Sequence, residues 1–142
     1  MKQIYAAIAL CVVVLLGAPE QSWAARLVAH VDISSQTMTV RKDGRTIYRW
    51  KVSTARPGKI TPIGTFRPQR MHRKWRSTIY GSNMPYSIFF RGPYAIHGTS
   101  AVSRLGRPAS AGCVRLHTSN AKRLFELTRQ VGPGNMRVQI TR

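Results

Sequence analysis

The chain has 142 residues, with 23 lysines and arginines against four acidic residues, which gives a net charge of +19. This length excludes two separate cores and predicts a single domain. The charge indicates a polyanionic partner, but the export signal described next and the lack of a nucleic-acid-binding motif exclude nucleic acid. The anions outside the cytoplasm are wall carboxylates and lipid phosphates. A merely solvated basic surface stays open as the alternative.

Residues 1–24 have the pattern of a signal peptide. Lys2 supplies the positive start, and Ile4–Leu16 is an almost unbroken apolar run that a small-x-small cleavage pattern follows. The run is shorter than the about 20 apolar residues of a membrane-spanning helix. We therefore expect cleavage after Ala24 or Ala25 and a periplasmic, or otherwise extracytoplasmic, mature protein. An uncleaved N-terminal membrane anchor is the alternative.

Cysteine usage singles out one thiol in the mature region, residues 25–142. Cys11 leaves with the signal, so that Cys113 stands alone. Exported domains normally use cysteines in disulfide pairs. A single cysteine is buried filler, an intermolecular link or a reactive thiol. The signal also takes away one base and one acid, so the net charge stays at +19.

The mature region begins with three predicted β-strands. Residues 27–33, 37–42 and 45–54 alternate between apolar and polar side chains, and Asp43-Gly44 is a strong hairpin signal. Turns follow at residues 56–59 and 61–64, with a short strand predicted over residues 65–69.

The middle of the chain holds two predicted loops around one hairpin. Residues 71–83 lack periodicity and hold several positive side chains. Loops of this length in a compact domain are usually functional or disordered. Two apolar segments, residues 86–91 and 94–97, flank Gly92-Pro93 and predict a hairpin. Residues 98–112 form the second loop, which is rich in small residues.

One helix is predicted after Cys113. Thr118 or Ser119 can cap it, apolar residues recur at helical spacing, and Gly132-Pro133 ends it. Residues 136–141 alternate as a last strand. The pattern predicts a mainly β domain, a β-sandwich or barrel, with one main helix that follows the cysteine loop.

The residues near Cys113 can supply what a nucleophilic thiol needs. A free thiol with a pKa of about 8.5 is only about 3% thiolate at pH 7, and a neighbouring imidazole can lower that pKa. His97 is the best candidate base, because it ends an apolar strand and Gly98 follows it. Alone, His97 could equally be a structural histidine. Gly112 permits a tight turn and the close approach of a substrate. The N–H groups of Gly112 and Cys113 can face an oxyanion. Arg115 adds positive charge two residues after the thiol.

A zinc site is the competing interpretation. Cys113 and His117 have ligand-like spacing, and His97 can supply a third ligand. No second close cysteine or carboxylate completes the set. We therefore expect no metal and no cofactor. The acids of the mature region are Asp32, Asp43 and Glu126.

Several short motifs follow one another within residues 27–141. They are Thr61–Phe66, Met84–Tyr86, Ile96–Thr99, Leu105–Pro108 and Ser110–Leu116. This ordered set resembles the L,D-transpeptidase catalytic domain, also called the YkuD-like domain. A lone Ser-x-Gly-Cys is a weak signal, whereas the ordered set spans essentially the whole mature chain and is specific.

The resemblance implies a role for each residue of the motif. Cys113 matches the acylated nucleophile. His97 matches the general base, which the family orients through the carbonyl of the next residue, here Gly98. Gly112 matches the residue whose N–H, with that of Cys113, helps to form the oxyanion hole.

Three further positions complete the comparison with the family motif. Ser110 matches the serine that supports the loop by hydrogen bonding, and Arg115 matches an arginine that lines the pocket. Ala111 departs from the family, because many members have histidine there. The departure raises the question of a weakened enzyme, although the thiol, His97 and Gly112 are intact.

The resemblance also implies an activity, that of an exported peptidoglycan L,D-transpeptidase. Cys113 would form a thioester with the diaminopimelate of a tetrapeptide stem, release D-alanine, and transfer the acyl group to an amine. That amine belongs to a second stem, a wall-anchored lipoprotein, an outer-membrane protein or a free D-amino acid. Carbapenem-type inhibitors are expected to acylate the same thiol.

Two alternatives stay open. The same site can use water as an L,D-carboxypeptidase or endopeptidase, or the domain can be a non-catalytic cationic peptidoglycan-binding module. The basic segment of residues 70–76 is the candidate for contacts to anionic wall groups or for lid contacts.

Overall fold

Two β-sheets and one long helix make up the part of the chain that the computed structural model describes, residues 25–142. The mainly β fold class with one main helix is therefore confirmed. The predicted signal peptide, residues 1–24, lies outside the described residues, as does Cys11. No helix within residues 25–142 is long and apolar enough to cross a membrane.

The first sheet has five strands, in the order β3-β2-β1-β9-β4. Strands β1 to β3 form an antiparallel meander, and β1 also pairs in parallel with β9. Asp43 and Gly44 both have positive φ, 48° and 80°, as the predicted two-residue hairpin turn requires. The strand bounds are β1 Leu27–Asp32, β2 Thr37–Lys42, β3 Arg45–Lys51, β4 Gly64–Phe66 and β9 Met136–Thr141.

The second sheet has four strands, in the order β5-β6-β7-β8. The bounds are β5 Arg70–His72, β6 Ser87–Arg91, β7 Tyr94–Thr99 and β8 Val114–His117. The predicted hairpin around Gly92-Pro93 is the β6–β7 pair. Strand β8 was not predicted, and it pairs in parallel with β7, which sets Arg115 opposite His97. This pairing brings the residue before β8, Cys113, beside the strand that holds His97.

The helix, α1, spans Thr118–Val131, and Gly132 is its C-cap, where the sequence predicted the helix to stop. Its N-cap is His117, and the cap prediction of Thr118 or Ser119 is wrong. The Nδ1 atom of His117 accepts a hydrogen bond from the Ser119 N–H at 3.2 Å, which is the bond that an N-cap side chain makes.

The other boundaries shift by a few residues. The strand predicted over residues 65–69 is β4, which ends at Phe66, and the loop predicted from residue 71 begins only after β5. The second predicted loop starts later as well, because β7 continues to Thr99. Residues 102–104 of that loop form a short 3-10 helix.

The main core lies between the two sheets and beneath α1. Ile88, Phe90 and Ile96 point into it. Side chains alternate along a strand, so Phe89 and Ala95 point to the opposite face of the second sheet. There they form a separate small cluster with Met84, against which Trp75 and Cys113 pack. The thiol therefore lies on the outer face of the second sheet.

Candidate active site

A cleft of about 890 Å³ opens on the outer face of the second sheet. The strands β7 and β8 contribute its floor, and the loop of residues 73–86 forms much of its wall. Cys113, His97 and Arg115 all line it. Three residues that were predicted together from the sequence are therefore brought together in space.

His97 is buried in β7, with 6% of its surface exposed. Its Nδ1 atom lies 2.7 Å from the carbonyl oxygen of Gly98. A carbonyl can only accept, so Nδ1 carries the proton of the neutral ring and the lone pair sits on Nε2. Burial lowers the pKa of His97 to about 4, and the positive charge of Arg115 adds to this effect. At neutral pH the ring is a neutral base with Nε2 as its accepting atom.

Cys113 is a free cysteine at the edge of this cleft. Its thiol lies 3.7 Å from the carbonyl oxygen of Pro93. Burial raises the pKa of the thiol above its ordinary value, although the Ala95 backbone and Arg115 act in the opposite direction. This result is contrary to the expectation that the imidazole holds the resting thiol as thiolate. The resting pair is a neutral thiol and a neutral imidazole, so the proton must move when the thiol attacks.

The loop before Cys113 is held by short hydrogen bonds. The Ser110 hydroxyl donates to the Cys113 carbonyl oxygen at 2.6 Å and accepts from the Gly112 N–H at 3.0 Å. The Thr61 hydroxyl donates to the Gly112 carbonyl oxygen at 2.8 Å. The Ser110 hydroxyl thus connects the two ends of the turn at residues 110–113.

Gly112 has a φ of 135°, which side chains rarely permit. A Cβ at this position would lie 2.6 Å from Cε1 of Tyr94 and 2.8 Å from the carbonyl oxygen of Ile60. The glycine thus allows a backbone turn and a close approach that no other residue allows.

Gly112 was predicted to help form the oxyanion hole through its N–H, and this role stays a prediction. Its N–H already donates to Ser110 Oγ, so it does not face the cleft as a free donor. The Cys113 N–H makes no backbone hydrogen bond to any of the described residues. The Cys113 N–H therefore stays the candidate donor for a developing oxyanion.

Arg115 gives the cleft a positive charge. It lies opposite His97 on the neighbouring strand, and its backbone exchanges hydrogen bonds with Ser53 at 3.0 and 2.9 Å. Its guanidinium lies 3.5 Å from the carbonyl oxygen of Ala109. No acidic residue lines the cleft among the described residues, so the site favours an anionic substrate.

The basic segment of residues 70–76 holds the cleft wall in place. Arg70 lies over the rings of Phe89 and Trp75, with its guanidinium carbon 3.7 and 4.8 Å from their centroids. Arg73 forms an ion pair with Glu126. The Nε atom of Arg76 donates to the carbonyl oxygen of Gly81, at the tip of the loop. Arg73 is the arginine of this segment that pairs with a carboxylate, and the predicted contacts to wall anions or to a lid stay predictions.

Sequence reasoning missed the apolar rim of the cleft. Ile60 and Ile79 line it although 71% and 68% of their surfaces are exposed. Large apolar residues inside loops were the only available signal. His117, the candidate zinc ligand, caps α1 and does not line the cleft.

Comparisons with known proteins agree with this description. A family model described as the L,D-transpeptidase catalytic domain (YkuD) matches residues 26–140. An L,D-transpeptidase from Mycobacterium smegmatis is 22% identical, with a TM-score of 0.76, over 83% of this chain and 59% of that one. An L,D-transpeptidase from Stackebrandtia nassauensis is 28% identical, with a TM-score of 0.72, over 82% and 55%.

A third similar structure contains a bound compound. It is an L,D-transpeptidase in complex with imipenem, 23% identical with a TM-score of 0.72, over 82% of this chain and 59% of that one. The present chain thus spans less than two thirds of the length of these relatives. A comparison with curated protein sequences finds no match.

Proposed function

Because the chain belongs to the L,D-transpeptidase catalytic domain family, we propose that it is a cysteine acyltransferase that acts on peptidoglycan. Cys113 is the nucleophile of this proposal and His97 its general base. The substrate is a tetrapeptide stem, and the bond that reacts joins the L-centre of diaminopimelate to the terminal D-alanine.

In the first step, His97 Nε2 accepts the thiol proton while Sγ of Cys113 attacks the carbonyl carbon. The C–N bond to D-alanine breaks, a thioester forms, and the proton passes from His97 to the leaving amine. In this proposal the Cys113 N–H donates to the oxyanion, and such a donor typically contributes about 2.7–4 kcal/mol to the transition state.

In the second step, an amine attacks the thioester carbonyl and forms a new amide bond. The C–S bond breaks, and the proton of the amine returns to the thiolate through His97. The chemistry needs acid–base groups and a nucleophile only.

One observation supports these roles above the others. His97 and Cys113 line the same cleft, and the Gly98 carbonyl holds the ring with Nδ1 protonated, so Nε2 is left as the acceptor. A structural histidine that merely closed a strand would not need to share a cleft with a free cysteine.

Intact-protein mass spectrometry tests the proposal. The purified protein is mixed with imipenem, because a similar L,D-transpeptidase is known in complex with this compound. We expect a covalent adduct on the wild type, none on Cys113→Ala, and slow formation on His97→Gln. A folded wild type without adduct would favour a non-catalytic binding module.

The acyl acceptor, an amine or water, determines whether the enzyme is a transferase or a hydrolase. Incubation with a purified disaccharide-tetrapeptide and chromatography of the products separates a crosslinked dimer from a shortened stem. We expect the dimer, and a shortened stem alone would identify an L,D-carboxypeptidase.

We also propose that the protein is exported by residues 1–24, because their charge and apolar pattern is that of a signal peptide. N-terminal sequencing of the protein from the extracytoplasmic fraction should begin at Ala25 or Arg26. A chain that still begins at Met1 in the membrane fraction would instead support the uncleaved anchor.

A further inference from the structure

The Thr61–Phe66 motif lies outside the residues that the proposed reaction uses, yet its first residue contacts the cysteine loop. Phe66 packs against the main core, and Gly64, where β4 begins, has a φ of 140°. Pro62 is buried, and a proline restricts the residue before it to an extended backbone. The motif therefore holds the buried Thr61 in a fixed position beside the loop.

The Thr61 hydroxyl has a defined direction, because it lies between one donor and one acceptor. The Ala55 N–H can only donate, so Thr61 Oγ1 accepts from it, at 3.0 Å. The hydroxyl hydrogen is then free to donate to the Gly112 carbonyl oxygen, at 2.8 Å. The hydroxyl thus links the backbone at residue 55 to the Gly112 carbonyl.

The backbone of residues 53–56 is itself joined to the chain on both sides of the cysteine. Ser53 exchanges backbone hydrogen bonds with Arg115 at 3.0 and 2.9 Å. On the other side, the Ser110 N–H donates to the Thr54 carbonyl oxygen at 2.9 Å. The segment that orients the Thr61 hydroxyl is therefore fixed relative to the cysteine loop.

The Gly112 carbonyl and the Cys113 N–H belong to one peptide group. That group is planar and trans, so its C=O and its N–H point in opposite directions. The hydrogen bond from Thr61 holds the carbonyl on the side of residue 61, and the Cys113 N–H therefore points away from that side. Cys113 lines the cleft, and its N–H makes no backbone hydrogen bond within residues 25–142.

The other hydrogen bonds of the loop do not hold this peptide group. The Ser110 hydroxyl bonds the Gly112 N–H and the Cys113 carbonyl oxygen, which belong to the peptide groups before and after it. Glycine adopts positive and negative φ with similar ease, so side-chain sterics at residue 112 do not fix the next peptide group either. The bond from Thr61 acts directly on the group that carries the Cys113 N–H.

We propose that Thr61 is a positioning residue for the oxyanion donor. Through the Gly112 carbonyl, its hydroxyl keeps the Cys113 N–H directed at the oxygen of the carbonyl that the thiol attacks. This inference rests on the proposed function and assigns a role to the Thr61–Phe66 motif. Thr61 does not line the cleft. Negative charge develops on the substrate oxygen during attack, so Thr61 stabilises the transition state and not the bound substrate.

Three variants and one matched control test this role. Thr61→Val removes the hydroxyl at nearly constant shape, Thr61→Ala removes it with the methyl group, and Thr61→Ser keeps it. The control is Thr128→Val in α1. Thr128 is also buried, and its hydroxyl donates to the Leu124 carbonyl oxygen at the same distance, 2.8 Å, but it does not line the cleft. Each protein is measured well below its own unfolding temperature.

Two reactions of the same thiol separate the donor from the rest of the site. Acylation by imipenem passes through a tetrahedral oxyanion, whereas alkylation by iodoacetamide displaces iodide from a carbon atom and forms no oxyanion. Loss of one oxyanion donor costs about 10²–10³-fold in rate. We expect Thr61→Val to lose a part of this, about 10- to 100-fold in acylation, and to be alkylated at the wild-type rate.

The other proteins and the substrate kinetics complete the pattern. Thr61→Ser and Thr128→Val should match the wild type in both reactions. With a disaccharide-tetrapeptide as substrate, Thr61→Val should lower kcat and leave KM unchanged, because only the transition state loses an interaction.

The outcomes are distinct. The proposal is overturned if acylation and alkylation fall together in Thr61→Val, because the threonine then positions the thiol or His97. It is also overturned if a folded variant without the hydroxyl is acylated at the wild-type rate, or if Thr61→Ser is as slow as Thr61→Val. If neither hydroxyl-free variant folds while Thr128→Val does, the hydroxyl serves the fold and the positioning role is wrong. A wild type that is alkylated but never acylated would instead contradict the proposed function.

Discussion

Replacing Gly112 by alanine should destabilise the protein and slow acylation, because two separate penalties meet at this position. The φ of 135° is a conformation that costs a side-chain-bearing residue about 1–3 kcal/mol. The added Cβ would also lie 2.6 Å from the Tyr94 ring and 2.8 Å from the Ile60 carbonyl oxygen, and such overpacking costs about 1–3 kcal/mol. We expect a loss of about 2–6 kcal/mol in the free energy of unfolding.

Two other glycines separate the penalties. Gly44 has a φ of 80°, and a Cβ added there would have no neighbour within 4 Å, so Gly44→Ala measures backbone strain alone. Gly134 has neither a positive φ nor a close neighbour, and Gly134→Ala should stay within about 0.5 kcal/mol of the wild type. Urea unfolding of the three variants gives the free energies on one scale.

The clash can be relieved to test its source. In the double variant with Tyr94→Leu the ring atom that the Cβ meets is gone, so the combined loss should be smaller than the two single losses added. The rate of imipenem acylation provides a second measurement, since a displacement of the thiol by about 1 Å can cost about 10²-fold. Equal unfolding midpoints for Gly112→Ala and Gly44→Ala would refute the packing argument.

Three further predictions concern protonation and the cysteine loop. The folded pKa of His97 is about 4 against an ordinary 6.5, so between these pH values the unfolded chain binds one more proton than the folded chain. The free energy of unfolding should therefore fall by about 3 kcal/mol as the pH drops from 6.5 to 4. Urea unfolding should show this dependence in the wild type and not in His97→Gln. The alkylation rate of Cys113 by iodoacetamide should keep rising above a pH of about 8.5, since burial raises the thiol pKa, and a plateau near neutral pH would contradict a neutral resting pair. Ser110→Ala leaves two backbone groups unpaired, which should cost about 1–3 kcal/mol each, whereas Ser103→Ala, at an exposed position, should be neutral in thermal unfolding.

The sequence predicted best where side-chain periodicity reports directly on burial. The first strands and the helix follow from patterns that repeat every two or every 3.6 residues. The hairpin at Asp43-Gly44 follows from its turn residues, and the end of the helix from Gly132-Pro133. Strand β8 has only four residues and joins α1 directly, so no period could develop. The cap at His117 was missed because serine and threonine are the commoner capping residues.

The site was predicted in its residues but not in its bonds. The resemblance identified Cys113, His97 and Arg115, which line one cleft. It could not indicate that the Gly112 N–H turns toward Ser110, because the direction of a backbone N–H depends on dihedral angles that no side-chain pattern records. Nor could it indicate that burial raises the thiol pKa, because that depends on how completely the loop of residues 73–86 covers the sheet.

The position of β9 has a consequence for how the chain reaches its fold. This strand lies between β1 and β4, and β4 has no other partner in the first sheet. The hairpins β1–β2 and β2–β3 form from neighbouring residues and need little loop closure, whereas β1 and β9 are about a hundred residues apart, and such distant pairing is slow. Until residues 136–141 are in place, one edge of β1 has no strand beside it and β4 cannot join the sheet. A chain that lacks its last strand would therefore expose this edge of β1 and the edge of β4, and other chains can pair with both.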